Sequence, residues 1–371
     1  MHEVVLPFAF TRLLLLVVLL FARVGPSVPT DDKLWRGNPT PLAWLNAFDG
    51  WDAGYYLWIA RDGYVYNPSG DSSVAFAPLY PLCMRLLSLV LGGPTNGALL
   101  IAGLLISNMA LLVALGFVVA LLRLDHGELV ARRVALYLLV FPATVFLSAV
   151  YPHSLFLACS AAAVYCARRG NWMPAGVLGA LAALARPYGV LLAVPLAYEY
   201  TTQAGCRFDR LRRDGLALGL VPAAFAAWAA FLWALSGNPW LVLSAGEEWG
   251  RRLAPPWEWM STVLSAPVPL YAYRNSLIEV GLSILFFVLL VASWRVARPS
   301  IALFGSLLFV PMISTGFLAS TLRYDLELLP AFVALAAAGT KYRAVHWGFL
   351  VVATLLAVAC MAMFSLGYWV A

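Results

Sequence analysis

The chain has 371 residues, of which 63% are hydrophobic and only 11% are charged. Soluble domains usually contain about 25% charged residues, so this composition excludes a soluble protein and indicates a polytopic membrane protein. The formal net charge of +6 does not indicate nucleic-acid binding, because the arginines sit in short clusters between apolar runs and no basic stripe with interleaved aromatic residues occurs.

Apolar runs with basic ends predict an all-α fold with about eleven membrane spans. Several runs are shorter than the roughly 20 residues that a perpendicular span needs, so we expect some half-spans or spans buried by neighbouring helices. The first run follows Arg12 and is interpreted as a retained helix, since no clean signal-peptide cleavage site follows it. The expected spans are residues 6–24, 98–121, 133–150, 154–168, 173–185, 188–201, 214–236, 274–296, 300–319, 324–340 and 345–368.

The basic residues in short connections predict the orientation of the chain, because such loops face the cytoplasm. The loops at 26–97 and 237–273 then lie on the extracytoplasmic side of one transmembrane domain covering residues 1–371. The basic clusters that predict this orientation lie within residues 123–133, 168–169, 207–213, 295–298 and 341–343.

Residues 79–93 are the weak point of this topology. The segment is apolar but too short for an ordinary span, and its length is more typical of a re-entrant or interfacial piece. If it did cross the membrane, every later loop would change sides and the arginine clusters would face outwards. The bias of positive charge towards the cytoplasm argues against that arrangement.

The first long loop contains aspartates among many aromatic residues. The pattern from Asp49 to Ala60 fits a short amphipathic helix at the membrane surface, with Asp49 and Asp52 as neighbours three positions apart. Either carboxylate could act as a base, or both could simply cap the helix or face water. The apolar face of this helix would carry Trp51, Tyr55, Trp58 and Ile59.

Further polar residues fall at the outer ends of other spans, on the face that carries Asp52. Ionisable residues at membrane depth are costly and usually functional, so we expect them to form one site. A carboxylate can take a proton from an attacking hydroxyl, and arginines can neutralise a departing phosphate. The candidates for phosphate binding are Arg186, Arg323, His153, Arg251 and Arg252.

Four of these five candidates also have a structural explanation, which is least expected for Arg186. His153 could make only a hydrogen bond, Arg251 and Arg252 could bind lipid headgroups, and Arg323 could be a basic helix flank. The aromatic residues expected to contact substrate are Trp51, Tyr55, Tyr151, Tyr188 and Trp249.

Five sequence motifs occur in order along the chain. The first is WDAGYYLWIARDGY followed by AFAPLYPL in the first loop. The others are FPATVFLSAVYPHSLF at 141–156, LAALARPYGVLL at 181–192, GNPWLVLSAGEEWGRRLAPPW at 237–257 and RYDLELLPAFVALA at 323–336. Over roughly residues 45–340 the chain therefore resembles the bacterial branch of the PIG-V-type mannosyltransferases.

The resemblance implies a GT-C glycosyltransferase fold with an extracytoplasmic active site in a bacterial cell membrane. It implies transfer of mannose with inversion from a polyprenyl- or dolichyl-phosphate donor to a glycolipid or glycan acceptor. Asp52 matches the presumed base of the family, Asp49 has no secure counterpart and ranks second, and Arg186 matches the arginine of an Arg-Pro motif. His153 replaces a glutamate of the family pattern, and Ala77 replaces a phenylalanine.

No cofactor and no metal site are expected, because two neighbouring carboxylates supply too few ligands. The expected partners are the lipid-linked sugar donor, the acceptor and membrane lipids, without nucleic acid. The rival class is a transporter or flippase for a lipid-linked or small polar substrate, which would share the intramembrane charges. Transporters often contain internal repeats, and no convincing repeat is found in this sequence.

Overall fold

The computed structural model describes residues 2–22, 24, 40, 44–68, 70–207, 213–265, 269–270 and 274–370. All regular structure in these ranges is helical. Much of the predicted first loop before Trp44, and part of the basic cluster at 207–213, lie outside the described residues.

The longer helices coincide with the apolar runs of the sequence. In chain order the α-helices are α1 His2–Ala22, α2 Asp52–Asp62, α3 Leu79–Val90, α4 Asn96–Arg123, α5 Gly127–Val140, α6 His153–Arg168, α7 Trp172–Ala185, α8 Ala193–Gln203, α9 Leu220–Ser236, α10 Leu241–Ser244, α11 Trp257–Ser265, α12 Leu277–Val296, α13 Pro299–Ile313, α14 Thr321–Tyr324, α15 Leu329–Lys341 and α16 Arg343–Ser365.

Five helical stretches among the described residues are long and apolar enough to cross a membrane. The other six predicted spans contain helices of 11 to 16 residues, so the count of eleven spans stays a prediction. Helix α3 has 12 residues and is about 18 Å long, well short of a hydrocarbon core of about 30 Å. The five long stretches are Glu3–Ala22, Asn96–Arg123, Arg213–Ser236, Leu277–Val296 and Arg343–Ser365.

Three predicted spans are longer than the helices found in them, because a break replaces the helix at one end of each. Helix α5 stops at Val140, because Pro142 follows and starts a 3-10 helix, Pro142–Leu147. Helix α13 ends at Ile313, and α15 begins only at Leu329. The residues between α13 and α15, predicted to belong to two spans, instead form the short helix α14 and a 3-10 turn.

The helices pack in two groups that are joined by α5. Helices α4, α6, α7 and α9 lie side by side in that order, and α12, α13, α15 and α16 form the other group with α1 at its edge. Helix α5 contacts both α4 and α15 and joins the groups. The large buried side chains, including Tyr80, Tyr137 and Phe332, belong to one continuous apolar core.

Arg12 fixes α1 to the break after α5. Its guanidinium donates hydrogen bonds to the carbonyl oxygen of Leu139 at 3.1 Å, the hydroxyl of Thr144 at 2.9 Å and the hydroxyl of Ser148 at 2.5 Å. A helix end leaves carbonyl groups without intrahelical partners, and an arginine can satisfy several of them at once. The cationic residue at the start of the first apolar run therefore has a packing role.

Candidate active site

Helix α2 begins at Asp52, three residues later than predicted. Trp51 precedes it with a backbone φ of 52°, which side-chain-bearing residues rarely adopt and which does not fit an α-helix. Asp49 lies before this turn, at the end of a 3-10 helix, Leu45–Phe48, so the prediction of one helix carrying both aspartates is wrong. The strained turn separates the two carboxylates and leaves Asp52 as the first residue of α2.

The aromatic residues of α2 pack towards the rest of the first loop and the second loop. Tyr55 stacks on Phe76 with ring centroids 4.4 Å apart and meets Trp249 edge-on at 5.6 Å. Trp51 lies outside the predicted helical face, and its ring contacts Phe364 at the end of α16. These contacts hold the start of α2 between the two loops and the last helix.

Arg323 pairs with Asp52 at the wall of a cavity that both residues line. Its Nη1 lies 2.7 Å from Oδ2 of Asp52, and only 6% of the arginine side chain is exposed. The Nε and Nη1 atoms lack aligned hydrogen-bond acceptors, so the contact is an ion pair with poor hydrogen-bond geometry. The guanidinium is surrounded by aromatic rings, including Tyr324 at 5.2 Å and Tyr151 at 5.8 Å from its central carbon.

Arg186 forms a second buried cluster with His153 and Glu327. Its Nη1 contacts Oε1 of Glu327 and lies 2.7 Å from Nδ1 of His153, which is itself 2.8 Å from the same carboxylate oxygen. Burial raises the pKa of Glu327 to about 7, while the charge of Arg186 acts in the opposite direction. The arginine also lies over the ring of Tyr324, 4.8 Å from its centroid, which links the two clusters.

A close backbone contact sets the position of Arg186. Helix α7 ends at Ala185, Arg186 is extended, and Pro187 starts a 3-10 helix, Pro187–Leu192, that folds back against α7. A Cβ atom on Gly189 would overlap the carbonyl oxygen of Ala182. Glycine at this position therefore allows the turn that leads Arg186 out of the helix and into the site.

One cavity of about 910 Å³ contains nearly all the residues predicted for the site, a volume typical of small-molecule sites. Asp49 is the exception: it is buried but does not line the cavity. The predicted residues that line it are Trp51, Asp52, Tyr55, Tyr151, His153, Arg186, Tyr188, Trp249, Arg251, Arg252 and Arg323.

The charge of the lining is predominantly positive. Four arginines and one aspartate line the cavity. Arg251 donates a hydrogen bond to the carbonyl oxygen of Ala319 at 3.0 Å and lies over Tyr324, whereas Arg252 pairs with Glu258 and is more exposed. An anion would therefore be favoured beside Arg186, Arg251 and Arg323.

The cavity also has an apolar side that reaches the outer surface of the helices. Phe225 of α9 and the residues Leu307 and Val310 of α13 line it there, together with Leu191. Val310 is 56% exposed, on a surface that faces away from the core. Charged and apolar walls thus meet in one space, as a ligand with an anionic head and a hydrocarbon tail requires.

The sequence interpretation missed two residues that shape this site. Glu327 was assigned to a membrane span, although it is the carboxylate that joins Arg186 and His153. Trp369 lines the cavity, meets Trp51 edge-on at 5.7 Å and lies 5.8 Å from the guanidinium carbon of Arg323. The acidic residues spaced through RYDLE carried a signal for Glu327, whereas Trp369 follows an ordinary apolar helix.

Comparison with solved structures identifies the fold. The structure of ArnT from Cupriavidus metallidurans bound to undecaprenyl phosphate aligns with a TM-score of 0.54 and 15% identity, covering 95% of this chain and 63% of ArnT. The archaeal oligosaccharyltransferase AglB from Archaeoglobus fulgidus, in complex with an inhibitory peptide and a dolichol-phosphate, aligns with a TM-score of 0.51 and 13% identity, covering 97% and 56%. The prediction of an all-helical GT-C fold is confirmed.

Sequence comparison identifies relatives over slightly less than half of the chain. It is similar to GPI alpha-1,6-mannosyltransferase 2 of Mus musculus, with 36% identity over 176 residues, and to that of Rattus norvegicus, with 34% identity over 176 residues. Each match covers 46% of this chain and 33% of the relative, so the matched part spans about a third of the length of these relatives.

The profile of the family described as mannosyltransferase (PIG-V) matches residues 42–233, slightly more than half of the chain. The matched residues include α2 with Asp52, the turn with His153 and the break with Arg186. The chain belongs to the PIG-V family of mannosyltransferases.

Proposed function

We propose that this protein is an inverting glycosyltransferase that moves a mannosyl residue from polyprenyl- or dolichyl-phosphate-mannose to a hydroxyl group of a glycolipid or glycan acceptor. The observation that carries the proposal is the shared cavity, in which one carboxylate faces a surplus of arginines beside an apolar wall. A sugar carried on a lipid phosphate has the matching parts: an anion, a polar ring and a long hydrocarbon tail.

The lipid phosphate would bind to Arg186 and Arg251, with its tail leaving along the apolar wall formed by α9 and α13. ArnT and AglB have been solved with undecaprenyl phosphate and a dolichol-phosphate respectively, which supports this class of carrier. Tyr324, which lies beneath both guanidinium groups, would keep them fixed while the phosphate binds.

Asp52 is the base in this proposal. It takes the proton from the acceptor hydroxyl while the acceptor oxygen forms a bond to C1 of the mannosyl group. The bond between C1 and the phosphate oxygen breaks in the same displacement, and its electron pair leaves with the lipid phosphate. The attack comes from the face opposite the phosphate, so the configuration at C1 inverts.

Arg323 has two roles in this scheme. Before the donor binds it neutralises Asp52, at 2.7 Å. When the phosphate binds, it competes with Asp52 for the guanidinium of Arg323, which lines the same cavity as Arg186 and Arg251. Asp52 then becomes available to accept a proton, and the positive charge stabilises the phosphate as the bond to the sugar breaks.

Glu327 is a positioning residue. It does not line the cavity but contacts both Arg186 and His153, so it fixes the direction of the arginine towards the donor. His153 replaces a glutamate of the family pattern, and Glu327 supplies a carboxylate at the same turn from the segment between α14 and α15. Residues that contact a substrate-binding side chain, without touching the substrate themselves, hold that side chain in its orientation.

The proposed location of the site is the extracytoplasmic face of a bacterial cell membrane. The long helices and their apolar surfaces support an integral membrane protein. The arginine-rich ends near Arg123, Arg168 and Arg298 lie at the other ends of the helices from Asp52 and Arg186, which agrees with cytoplasmic basic loops.

The decisive experiment is transfer from labelled polyprenyl-phosphate-mannose by the purified protein with candidate glycolipid and glycan acceptors. We expect label in the acceptor, with the inverted anomeric configuration. Asp52→Asn should lower turnover by about a thousandfold, because an amide cannot accept the proton. The matched control is Asp62→Asn, on the exposed end of the same helix, which should retain wild-type turnover.

Near wild-type turnover by Asp52→Asn would refute the assignment of the base. Movement of the intact labelled lipid across reconstituted vesicles, without transfer or hydrolysis in any acceptor mixture, would support the rival class of transporter or flippase instead.

A further inference from the structure

A further buried polar cluster, distinct from the clusters around Arg323 and Arg186, lies between the start of α12 and the segment that carries Arg323. Glu279 and Ser283 are one turn apart on α12, and Thr321 and Asp325 are four residues apart on the facing segment. These two segments are in contact. None of the four residues lines the cavity described above, so the cluster is separate from the proposed sugar-transfer site.

The oxygen atoms of this cluster lack the partners that buried polar groups normally have. Both carboxylate oxygens of Asp325, Oε2 of Glu279 and the hydroxyl groups of Ser283 and Thr321 are buried without a hydrogen-bond partner among the described residues. The four residues are between 0% and 6% exposed. Unsatisfied buried polar atoms are rare and costly, and several of them together point to a ligand that is not part of the polypeptide.

The residues of the cluster are linked across the two segments. Glu279 accepts hydrogen bonds from the backbone N–H groups of Ser320 and Thr321, which places its carboxylate at the start of α14. Asp325, one turn further along, is close enough for its charge to repel that of Glu279. Both carboxylate oxygens of Asp325 lack a hydrogen-bond partner among the described residues, so the two carboxyl groups do not share a hydrogen bond.

The charge of the cluster selects the class of ligand. Glu279 and Asp325 together carry two negative charges when ionised, and neither belongs to an ion pair among the described residues. The positive charge of Arg251 acts on Glu279, but Arg251 donates its hydrogen bond to the carbonyl oxygen of Ala319. One divalent cation would cancel both charges, whereas two isolated buried carboxylates would be strongly destabilising.

We propose that Glu279, Ser283, Thr321 and Asp325 bind a hard divalent cation of the Ca²⁺ or Mg²⁺ type. All the ligand atoms are oxygens, from two carboxylates and two hydroxyl groups, and this set suits hard cations rather than zinc. The described residues contain no group of three His, Cys, Asp or Glu side chains that could hold a metal, so the hydroxyl groups are required and water completes the coordination.

The cation would fix the segment that carries the proposed phosphate-binding arginine. Thr321 and Asp325 flank Arg323 in the sequence, and Ser320, which has a left-handed backbone φ of 64°, begins the same turn. Tying both ends of this turn to α12 holds Arg323 in its place opposite Asp52. The consequence for catalysis rests on the proposed function, whereas the cation site itself does not.

The test is metal binding by the full-length protein in detergent, measured after chelation, dialysis and reloading with CaCl₂ or MgCl₂. We expect about one tightly bound cation per chain by elemental analysis and a higher melting temperature in the loaded protein. Asp325→Asn and Glu279→Gln should lower the affinity at least about tenfold and remove the thermal shift. Asp71→Asn, at an exposed aspartate of the first loop, is the matched control and should bind as wild type does.

Two further variants test the proposal in case the carboxylate substitutions prevent folding. Ser283→Ala and Thr321→Ala each remove one hydroxyl ligand and should weaken binding while the protein still purifies as a folded monodisperse species. The proposal is overturned if the wild-type protein binds no stoichiometric cation, or if Asp325→Asn binds as much as wild type. It is also overturned if Asp325→Asn is more stable than wild type and chelation affects neither protein, since the carboxyl group would then be buried in its neutral form.

Discussion

Two buried networks of arginine and carboxylate side chains join distant parts of this chain, one at each end of α6. The first surrounds Glu199 near the C-terminal end of α6, and the second contains His153 at its N-terminal end. The two ends are about 22 Å apart along the helix. Because the same kinds of side chain occur in both networks, their differences show what distinguishes a structural cluster from a candidate site.

The network around Glu199 is fully occupied. Its carboxylate accepts hydrogen bonds from Arg298 at 3.0 Å, Ser300 at 2.7 Å and Gln203 at 2.9 Å, and Arg168 approaches it at 3.5 Å while also pairing with Asp125. These contacts connect α8, α13 and the loop after α4. In the part of the chain that the structure describes, none of the charged atoms in this network is buried without a partner, so the network fixes helices to each other.

The network at the N-terminal end of α6, which extends to Arg323, is incompletely paired. Two nitrogen atoms of Arg323 lack aligned acceptors. Four arginines line the cavity with one aspartate, and an apolar wall runs to the outer surface. Buried charges without partners are costly and persist where a ligand compensates for them. Incomplete pairing beside a cavity, rather than the presence of buried charges, is therefore the feature that marks the candidate site.

The largest expected effect comes from Arg323. Arg323→Met should lower transfer by about a thousandfold, because the variant keeps the apolar part of the side chain but cannot stabilise the leaving phosphate. Its melting temperature should change little, since the side chain faces a cavity. Turnover with labelled donor and thermal unfolding are measured on the same variant. A large loss of stability with normal turnover per folded molecule would show that Arg323, like Glu199, has a structural role.

The opposite pattern is expected for Glu199. Glu199→Gln leaves Arg298 and Arg168 with a neutral partner, and breaking a buried pair of this kind typically costs about 3 kcal/mol. Folding stability should therefore fall, while turnover per folded molecule stays near that of wild type. Denaturation in detergent and an activity assay normalised to folded protein check this prediction. A selective loss of turnover at full stability would contradict it.

A smaller effect on activity is expected for Glu327. Glu327→Gln should raise KM for the donor about tenfold more than it lowers kcat, because Arg186 loses its orienting partner but still binds phosphate. Glu327→Asp should restore part of the loss, which a purely structural role would not predict. Steady-state kinetics of both variants against donor concentration is the measurement. Equal changes in kcat for the two variants, with KM unchanged, would argue against a positioning role.

The smallest effect is expected at the exposed pair of Arg61 and Asp62. Their side chains are 40% and 45% exposed, and surface ion pairs contribute little. Arg61→Gln should alter neither melting temperature nor turnover measurably, although it lies on the same helix as Asp52. A clear loss of turnover in this variant would show that the outer end of α2 belongs to the site.

The sequence predicts this fold well because its apolar runs are long and carry basic ends. It also places Arg186 and Arg323 at the ends of spans and Asp52 in the first long loop, and the structure brings these residues to one cavity. It fails where local geometry interrupts a periodic pattern: the positive φ of Trp51 separates Asp49 from α2, although the spacing of residues 49–60 fits a helix.

Glu327 and Trp369 could not be found from periodicity. Glu327 occurs within an apolar run, and only its contacts with His153 and Arg186 distinguish it from a costly buried charge. Trp369 reaches the cavity because α16 returns to α2 across the bundle, which depends on long-range packing. Such partners are determined by the arrangement of the helices in space.

The backbone contact at Gly189 limits which sequences can maintain this arrangement. An added methyl group would push the 3-10 helix away from α7 and rotate the direction in which Arg186 leaves the chain. A residue that does not line the cavity can thus decide whether Arg186 reaches it. Searches for inactivating substitutions should include this glycine beside the charged residues that it serves.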